Sequence, residues 1–212
     1  MNIAALYAGK PAPLGPRNAL TAICKQPVDY LTVHSDCTDE DDQANKRLHG
    51  GPEKVLHQYS LAGYALISEH YPTLADKAVA GSIGENISIE GMTDETVFIG
   101  DVYAMGEIIV QVGAPRAPCN KINQRFETPN LDRFTGNHGI TGWYYRILQT
   151  GVLRTGDSVS LEQRATNTVS VGELMRSVYN PDYFENARQI VELEVLDDEW
   201  RGKCEKALSK VG

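Results

Sequence analysis

Apolar and polar positions alternate in short runs along the first three quarters of the chain. The alternation is clear where Ile87 and Ile89 flank Ser88, and this period of two is typical of a half-buried β-strand. The strand-like runs are Leu20–Val28, Asn86–Ile89, Thr96–Tyr103, Glu107–Val112, Trp143–Gln149 and Ser158–Glu162. Gly-Asp turns at residues 100–101 and 156–157 stand between neighbouring candidates. Many short strands with such turns predict a mainly β fold, organised as a closed or nearly closed barrel.

Two helical segments interrupt the predicted strands. Ser60 can cap a helix that runs from Leu61 to about Tyr71, where Pro72 ends it. A second, less regular helical segment is predicted at Pro129–Phe134. The predicted fold class of this region is therefore a β-barrel with a few short helices.

The last quarter of the chain has a helical period instead. Ser170 and Glu173 form a capping box, which predicts the start of a helix. Two further helix starts are predicted, at Asn180-Pro181 and at Asp197 or Asp198. Three short helices predict a small all-α domain at residues 166–212, following the barrel domain at residues 1–165.

Composition and charge exclude several classes of protein for this chain. Of the 212 residues, 42% are hydrophobic, and the formal net charge is −8 with no basic arm, which makes nucleic acid and anionic membranes unfavourable partners. No apolar run reaches the length of a membrane span, and residues 1–7 lack the basic region of a signal peptide. The four cysteines form no C-x-x-C pair, which argues against a zinc cluster and a disulfide framework. These features predict a cytoplasmic protein.

The segment Pro115–Lys121 carries the strongest chemical signal. It places Cys119 between Arg116 and Lys121, directly after a predicted strand, and its two prolines restrict the backbone. Nearby cations favour the thiolate, which is the nucleophilic and metal-binding form of cysteine. The same cations can bind a phosphate, the arginine through two parallel hydrogen bonds and the lysine as a point charge. The alternative is a buried cysteine with a purely structural role.

Two further motifs are candidates for ligand binding. His49 can exchange protons near neutral pH, and Gly50 and Gly51 let backbone N–H groups approach an anion; an ordinary turn with an incidental histidine is the alternative. Lys54 follows and adds a cation. Asn86 can hydrogen-bond a heteroaromatic ligand, although a simple turn residue is equally compatible with its place in the sequence.

Together, and in this order, the motifs resemble those of the MOSC domain superfamily, named for the C-terminal domain of molybdenum-cofactor sulfurase. They are His49-Gly50-Gly51-Pro52, Gly84-Glu85-Asn86, Ile99-Gly100-Asp101 and Pro115-Arg116-x-Pro118-Cys119-x-Lys121. The likeness is strongest to the YiiM branch, whose members also carry a small three-helix C-terminal domain. It covers nearly the whole chain from about Leu20.

The resemblance implies a function and assigns roles to residues. It implies a barrel that binds the molybdenum cofactor, molybdopterin, and an oxidoreductase that reduces N-hydroxylated compounds, including base analogues, to amines as a detoxification. Carried over by motif, Cys119 is the molybdenum ligand. From side-chain chemistry, His49 is the best nearby proton donor, with Asp101 as a weaker candidate. The cofactor contacts are Gly50, Gly51, Lys54, Asn86, Arg116 and Lys121. Pyridoxal phosphate, which the sulfurase uses in a separate domain, is not expected.

Partners follow from the same resemblance. The substrate is a small N-hydroxylated molecule, and an electron-donating reductase is needed because the sequence has no flavin or haem signature. The alternative function is a non-catalytic carrier of the cofactor, or of sulfur as a Cys119 persulfide; a vestigial cysteine is a third interpretation. The C-terminal helices have three open roles: covering the pocket, binding the reductase, or forming a homodimer contact.

Overall fold

The computed structural model describes residues 1–44 and 50–211, and its central feature is a mixed β-sheet of eight strands. The strands of the chain are β1 Ile3–Ala8, β2 Ala12–Leu14, β3 Ala19–Thr21, β4 Gln26–Val28, β5 Tyr30–Val33, β6 Leu56–Gln58, β7 Ile87–Ile89, β8 Val102–Met105, β9 Ile108–Pro115, β10 Trp143–Gln149, β11 Gly151–Arg154 and β12 Val159–Gln163. The large sheet has the order β12-β8-β9-β10-β6-β7-β1-β4, and β11 pairs with β5 and β2 with β3 in two small sheets. The β6–β7 pair is parallel, whereas the other pairs of the sheet are antiparallel. The prediction of a mainly β fold is confirmed.

The predicted closed or nearly closed barrel is not confirmed. The eight strands form an open sheet, with β12 at one end and β4 at the other. The start of the chain approaches the β12 end, where Asn2 and Ser158 form an isolated bridge, but no strand ladder joins the two ends within the described residues. Residues 6–8 of β1 pair with β4 instead. Only the first few residues of the chain therefore hydrogen-bond to the β12 end of the sheet.

Four predicted strands agree closely with the structure and two do not. Trp143–Gln149 is β10, and Asn86–Ile89, Glu107–Val112 and Ser158–Glu162 correspond to β7, β9 and β12, each of which begins one residue later. The prediction of a single strand over Leu20–Val28 was wrong. Residues 22–25 lie between β3 and β4 and outside both, because this part of the chain leaves the sheet to line a cavity.

The predicted strand at Thr96–Tyr103 was wrong in its first half, where a turn precedes β8. The buried Asp101 carboxylate accepts the Phe98 backbone N–H at 3.0 Å, which closes this turn. The same carboxylate lies 2.7 Å from the Arg164 guanidinium and accepts the Tyr103 hydroxyl at 3.1 Å. Asp101 is therefore a structural group that joins β8 to the segment after β12.

Helices cover the sheet. In the described residues they are α1 Leu61–His70, α2 Lys121–Phe126, α3 Leu131–His138, α4 Val171–Tyr179, α5 Ala187–Ile190 and α6 Asp198–Leu208. Two 3-10 turns, Pro72–Leu74 and Pro181–Asn186, accompany them. As predicted, Ser60 caps α1, where its hydroxyl accepts the Gly63 N–H at 3.2 Å. None of the described helices combines the length and the apolar character needed to cross a membrane.

The C-terminal helices begin at the predicted caps and pack on the sheet. Ser170 caps α4 and Asp197 caps α6, and each side chain accepts a backbone N–H three residues later. The helix predicted after Asn180 begins instead as a 3-10 turn. Trp200 and Cys204 of α6 are at most 1% exposed and belong to the same apolar cluster as the inner side of the sheet. The division at residue 166 into two domains stays a prediction.

Candidate functional site

A cavity of about 270 Å³ lies where the Pro115–Lys121 segment leaves the sheet. The predicted site residues that line it are Lys54, Asn86, Arg116, Cys119 and Lys121. Gly84 of the Gly84-Glu85-Asn86 motif also lines it, as do residues that the sequence analysis did not single out, among them Lys25, Asp41, His57 and Tyr144. Among the described residues, four lysine or arginine side chains and two aspartates, Asp41 and Asp42, line this space. In that part of the chain the lining therefore combines one thiol with a surplus of positive charge.

The backbone of the Pro115–Lys121 segment is held at both ends. The Arg116 N–H donates to the Gly142 C=O at 2.9 Å, which extends the pairing of β9 with β10. The Ile122 N–H donates to the Cys119 C=O at 3.0 Å, and α2 begins there. Cys119 is half-buried and forms no disulfide. The segment thus places a free thiol at the cavity in a fixed backbone frame, as its prolines predicted.

The Arg116 side chain is only partly satisfied by the protein. Its Nη1 donates to the Ile83 C=O at 2.7 Å and lies 3.3 Å from His57 Nδ1. Its Nε is buried and has no hydrogen-bond partner among the described residues. A buried N–H without an acceptor is costly, so an acceptor atom supplied by a ligand would stabilise this position.

His57 on β6 is a neutral imidazole. Burial lowers its pKa well below 6.5, and the charges of Arg116 and Lys25 lower it further. Nε2 lies 3.4 Å from the Thr141 C=O, whereas Nδ1 faces the Arg116 guanidinium. We therefore assign the ring proton to Nε2, which leaves Nδ1 as the acceptor for Arg116. His57 orients the arginine rather than donating a proton to a ligand.

Asn86 connects His57 to a buried ion pair. Its Oδ1 accepts the His57 N–H at 3.0 Å, and its Nδ2 donates to Asp41 Oδ2 at 3.0 Å. Asp41 also lies 2.6 Å from Lys25 Nζ, and both side chains are at most 5% exposed. Burial lowers the pKa of Lys25, and Asp41 opposes this shift. Because protein groups engage both ends of the Asn86 amide, its role as a cofactor contact stays a prediction.

The Gly84-Glu85 step explains how Ile83 reaches Arg116. Gly84 has a φ of +86°, and a Cβ there would lie 2.9 Å from the Ile23 Cα, so this position requires glycine. The buried Glu85 carboxylate accepts the Tyr64 hydroxyl at 2.6 Å, and that hydroxyl accepts the Ile83 N–H at 3.1 Å. Burial raises the pKa of Glu85. This network fixes the loop whose carbonyl accepts the guanidinium.

Asp94 holds the turn that faces His57 and Arg116. Its Oδ1 accepts the N–H groups of Gly142 at 2.8 Å and Thr141 at 3.2 Å. Its Oδ2 is buried and has no hydrogen-bond partner in the described part of the chain. Burial raises the pKa of Asp94 to about 7, although the two backbone N–H groups lower it. Because the carbonyls of this turn accept from His57 and Arg116, Asp94 supports the site from behind.

The remaining cavity side chains reach other elements. Lys54 Nζ lies 2.9 Å from Glu199 Oε2 of α6, and Lys121 Nζ donates to Gln124 Oε1 at 3.1 Å. Tyr144 on β10 is buried, and its burial raises the pKa of the phenol while two neighbouring cations oppose the shift. The phenol therefore keeps its proton at neutral pH.

The other predicted site groups stand differently. His49, the predicted proton donor, lies outside the described residues, so its place relative to the cavity stays a prediction. Gly50 and Gly51 are not among the described residues that line the cavity; the Gly51 C=O accepts the Lys54 N–H at 3.0 Å and so belongs to the turn before that lysine. The suggestion of Asp101 as a proton donor was wrong, because its carboxylate is committed to a structural ion pair elsewhere.

The sequence analysis missed Lys25, Asp41 and His57. Lys25 interrupts an apolar run, and a charge in such a place is a signal for a buried pair or a site. Asp41 belongs to the acidic run Asp36–Asp42, whose sequence is typical of a solvated loop, yet it is only 7% exposed. His57 has no local motif. These residues become recognisable only when the fold brings them to Arg116.

The fold and the cavity define a class of protein: a mixed-sheet domain with a free thiol beside a group of cationic side chains. Comparison with known proteins makes the class specific. A model of the MOSC domain matches residues 45–160. Protein YiiM of Escherichia coli (strain K12) is 33% identical over 153 residues, which cover 72% of this chain and 68% of that protein. The chain belongs to the MOSC domain family.

Other relatives agree with this assignment. The uncharacterized protein YflK of Bacillus subtilis (strain 168) is 30% identical and covers 97% of this chain and 93% of its own length. The crystal structure of YiiM from Geobacillus stearothermophilus has a TM-score of 0.77 at 28% identity, with 98% of each chain covered. A protein of Gibberella moniliformis (strain M3125 / FGSC 7600) named a reductase is 37% identical over 131 residues, 61% of this chain but only 23% of that protein.

Proposed function

We propose that this chain binds the molybdenum cofactor in the cavity, with Cys119 as the metal ligand, and reduces N-hydroxylated compounds to amines. The observation that carries the proposal is the convergence of Cys119 with four cationic side chains in one cavity of a MOSC-family chain. MOSC domains are associated with binding of this cofactor. The substrate class follows from the resemblance to the YiiM branch.

The residues present fit such a cofactor. A thiolate is a soft ligand of the kind that sulfur-ligated metals take. The side chains of Lys54, Arg116 and Lys121 match the negative charge of a pterin phosphate, whereas Lys25 is paired with Asp41. The unpartnered Nε of Arg116 offers one further donor to the same group. Thiol and cations would thus hold the two ends of a single anionic, sulfur-bearing ligand.

The proposed reaction needs two electrons and two protons for each N-hydroxyl group. The N–O bond breaks, the nitrogen keeps its carbon substituents and gains a proton, and the oxygen leaves as water. The chemistry that the cofactor supplies when bound is the two-electron transfer. We propose that the electrons come from a separate flavin- or haem-containing reductase in the cytosol and that this chain is the terminal component of that system.

Proton delivery falls to the side chains around the cavity. His49 remains the proposed donor because its imidazole can exchange a proton near neutral pH. His57 is unsuited to this role, because its lowered pKa keeps the imidazole neutral. Tyr144 is a second candidate, since its phenol lines the cavity and is protonated at neutral pH; burial raises its pKa and so makes it a weaker acid than an exposed phenol.

Turnover of an N-hydroxylated purine with an artificial reductant, under anaerobic conditions, tests the reductase. We expect multiple turnovers by the wild-type protein, loss of activity in Cys119→Ser, and retention in Cys37→Ser, which changes an exposed cysteine that does not line the cavity. Absence of reduction by molybdenum-loaded wild-type protein would contradict the proposal. A single stoichiometric release of cofactor or sulfide, without turnover, would indicate the carrier instead.

A further inference from the structure

The C-terminal helix α6 reaches the cavity through one shared carboxylate. Glu199 Oε2 lies 2.9 Å from Lys54 Nζ, and Glu199 Oε1 lies 2.6 Å from Lys203 Nζ. Lys54 lines the cavity, whereas Lys203 lies one turn further along α6. One negative charge on the helix is therefore divided between a cavity lysine and a helix lysine.

The helix that carries this carboxylate is held in place by the core. Trp200, the next residue, is 1% exposed, and Cys204 is fully buried on the same helix. The Asp197 side chain caps the first turn by accepting the Trp200 N–H at 2.7 Å. Because α6 is anchored on both sides of Glu199, the helix backbone there has a fixed place beside the cavity. The Glu199 side chain is 46% exposed and that of Lys54 is 20% exposed, so the pair joins a half-exposed carboxylate to a largely buried ammonium group.

We propose that Glu199 is a positioning residue that holds Lys54 at the cavity and that an anionic ligand competes with it for this lysine. The inference rests on the proposed function only in taking the ligand to be an anion. An anion that binds Lys54 must share the ammonium group with Glu199 or displace it, and Lys203 then remains as the counter-ion of the carboxylate. The C-terminal helix thereby lowers the cavity's affinity for anions, because the Glu199 carboxylate offsets part of the positive charge of Lys54.

The electrostatic potential at Cys119 gives a test that needs neither cofactor nor turnover. Iodoacetate and iodoacetamide alkylate the same thiol, but only the first carries a negative charge. The ratio of their rates at Cys119, measured by peptide mass mapping, therefore reports the local potential and cancels differences in thiol reactivity that both reagents share. Low ionic strength keeps screening small.

Glu199→Gln keeps the shape of the side chain and removes its charge. We expect it to raise the iodoacetate-to-iodoacetamide ratio about threefold, as a nearby partly screened charge should. Glu205→Gln is the matched control, because it makes the same change at an exposed position of the same helix, and the ratio should stay within about 1.5-fold. Lys54→Gln should lower the ratio.

The double variant Lys54→Gln/Glu199→Gln decides the mechanism. If Glu199 acts mainly through Lys54, adding Glu199→Gln to Lys54→Gln will raise the ratio much less than the same change does in the wild-type protein. A ratio that rises equally with and without Lys54 would overturn the proposal, since Glu199 would then act as a distant charge. An unchanged or lower ratio in Glu199→Gln alone would also overturn it. Thermal unfolding of each variant checks that α6 remains docked.

Discussion

Replacing Asp94 with Asn tests how the turn behind Arg116 and His57 is held. In the wild-type protein the buried carboxylate uses one oxygen to accept the N–H groups of Thr141 and Gly142. Asn retains an oxygen at that position but does not titrate. The substitution therefore keeps the two backbone hydrogen bonds and removes the effect of the proton.

The expected magnitude follows from the pKa of Asp94, which burial raises from 3.8 to about 7. Between these values the folded protein keeps a proton that the unfolded chain has released, so the free energy of unfolding falls as the pH rises. The contribution of this proton is fully present below the unfolded pKa and is lost as the pH passes the folded pKa. One pKa unit corresponds to about 1.4 kcal/mol, and the loss between pH 5 and pH 7.5 is about 2.5 kcal/mol.

Urea unfolding followed by circular dichroism at pH 5, 6 and 7.5 gives the free energy of unfolding for both proteins. The stability of the wild type relative to Asp94→Asn should fall by about 2.5 kcal/mol over this range. Asp76→Asn, at an exposed position, controls for the loss of one negative charge. The difference in the free energy of unfolding between wild type and Asp94→Asn could instead stay constant within about 0.5 kcal/mol over this pH range. Asp94 would then keep no extra proton in the folded protein, and the predicted pH dependence would be wrong.

Two further substitutions test other supports of the cavity. Asp41→Asn leaves the buried Lys25 without its counter-ion and should cost about 3 kcal/mol in urea unfolding, and adding Lys25→Met should recover at least half of that cost; no recovery would contradict a mutual pair. Gly84→Ala should cost about 1–3 kcal/mol, because φ there is +86° and the added Cβ would lie 2.9 Å from the Ile23 Cα. Gly202→Ala in α6 should stabilise by up to about 1 kcal/mol, because an added Cβ there meets no atom within 4 Å. Similar shifts in the two thermal unfolding midpoints would contradict this reasoning.

Local chemistry made part of the structure predictable from the sequence. The caps at Ser60, Ser170 and Asp197 were recognisable because a capping side chain bonds to a backbone N–H only three residues away. The thiol and cation of Cys119 and Arg116 were recognisable for the same reason, since both lie in one short segment. Such features depend on spacing along the chain and little on the rest of the fold.

Contacts between distant segments were not predictable in this way. Lys25 and Asp41 are 16 residues apart, and Lys54 and Glu199 are 145 residues apart, so no motif joins either pair. The order of the strands is a property of the same kind. Alternation of apolar residues shows that a strand has a buried face, but it does not say which neighbours the strand pairs with, and the barrel inferred from it is not confirmed.

Molybdenum and pterin content is the most direct test of the central claim that Cys119 holds a cofactor in this cavity. The protein would be purified anaerobically from a host that makes the cofactor, beside Cys119→Ser and the control Cys37→Ser. We predict near-stoichiometric molybdenum and pterin in the wild type and in Cys37→Ser, and loss of molybdenum in Cys119→Ser. Wild-type protein without either component, or Cys119→Ser with the full complement of molybdenum, would contradict the assignment.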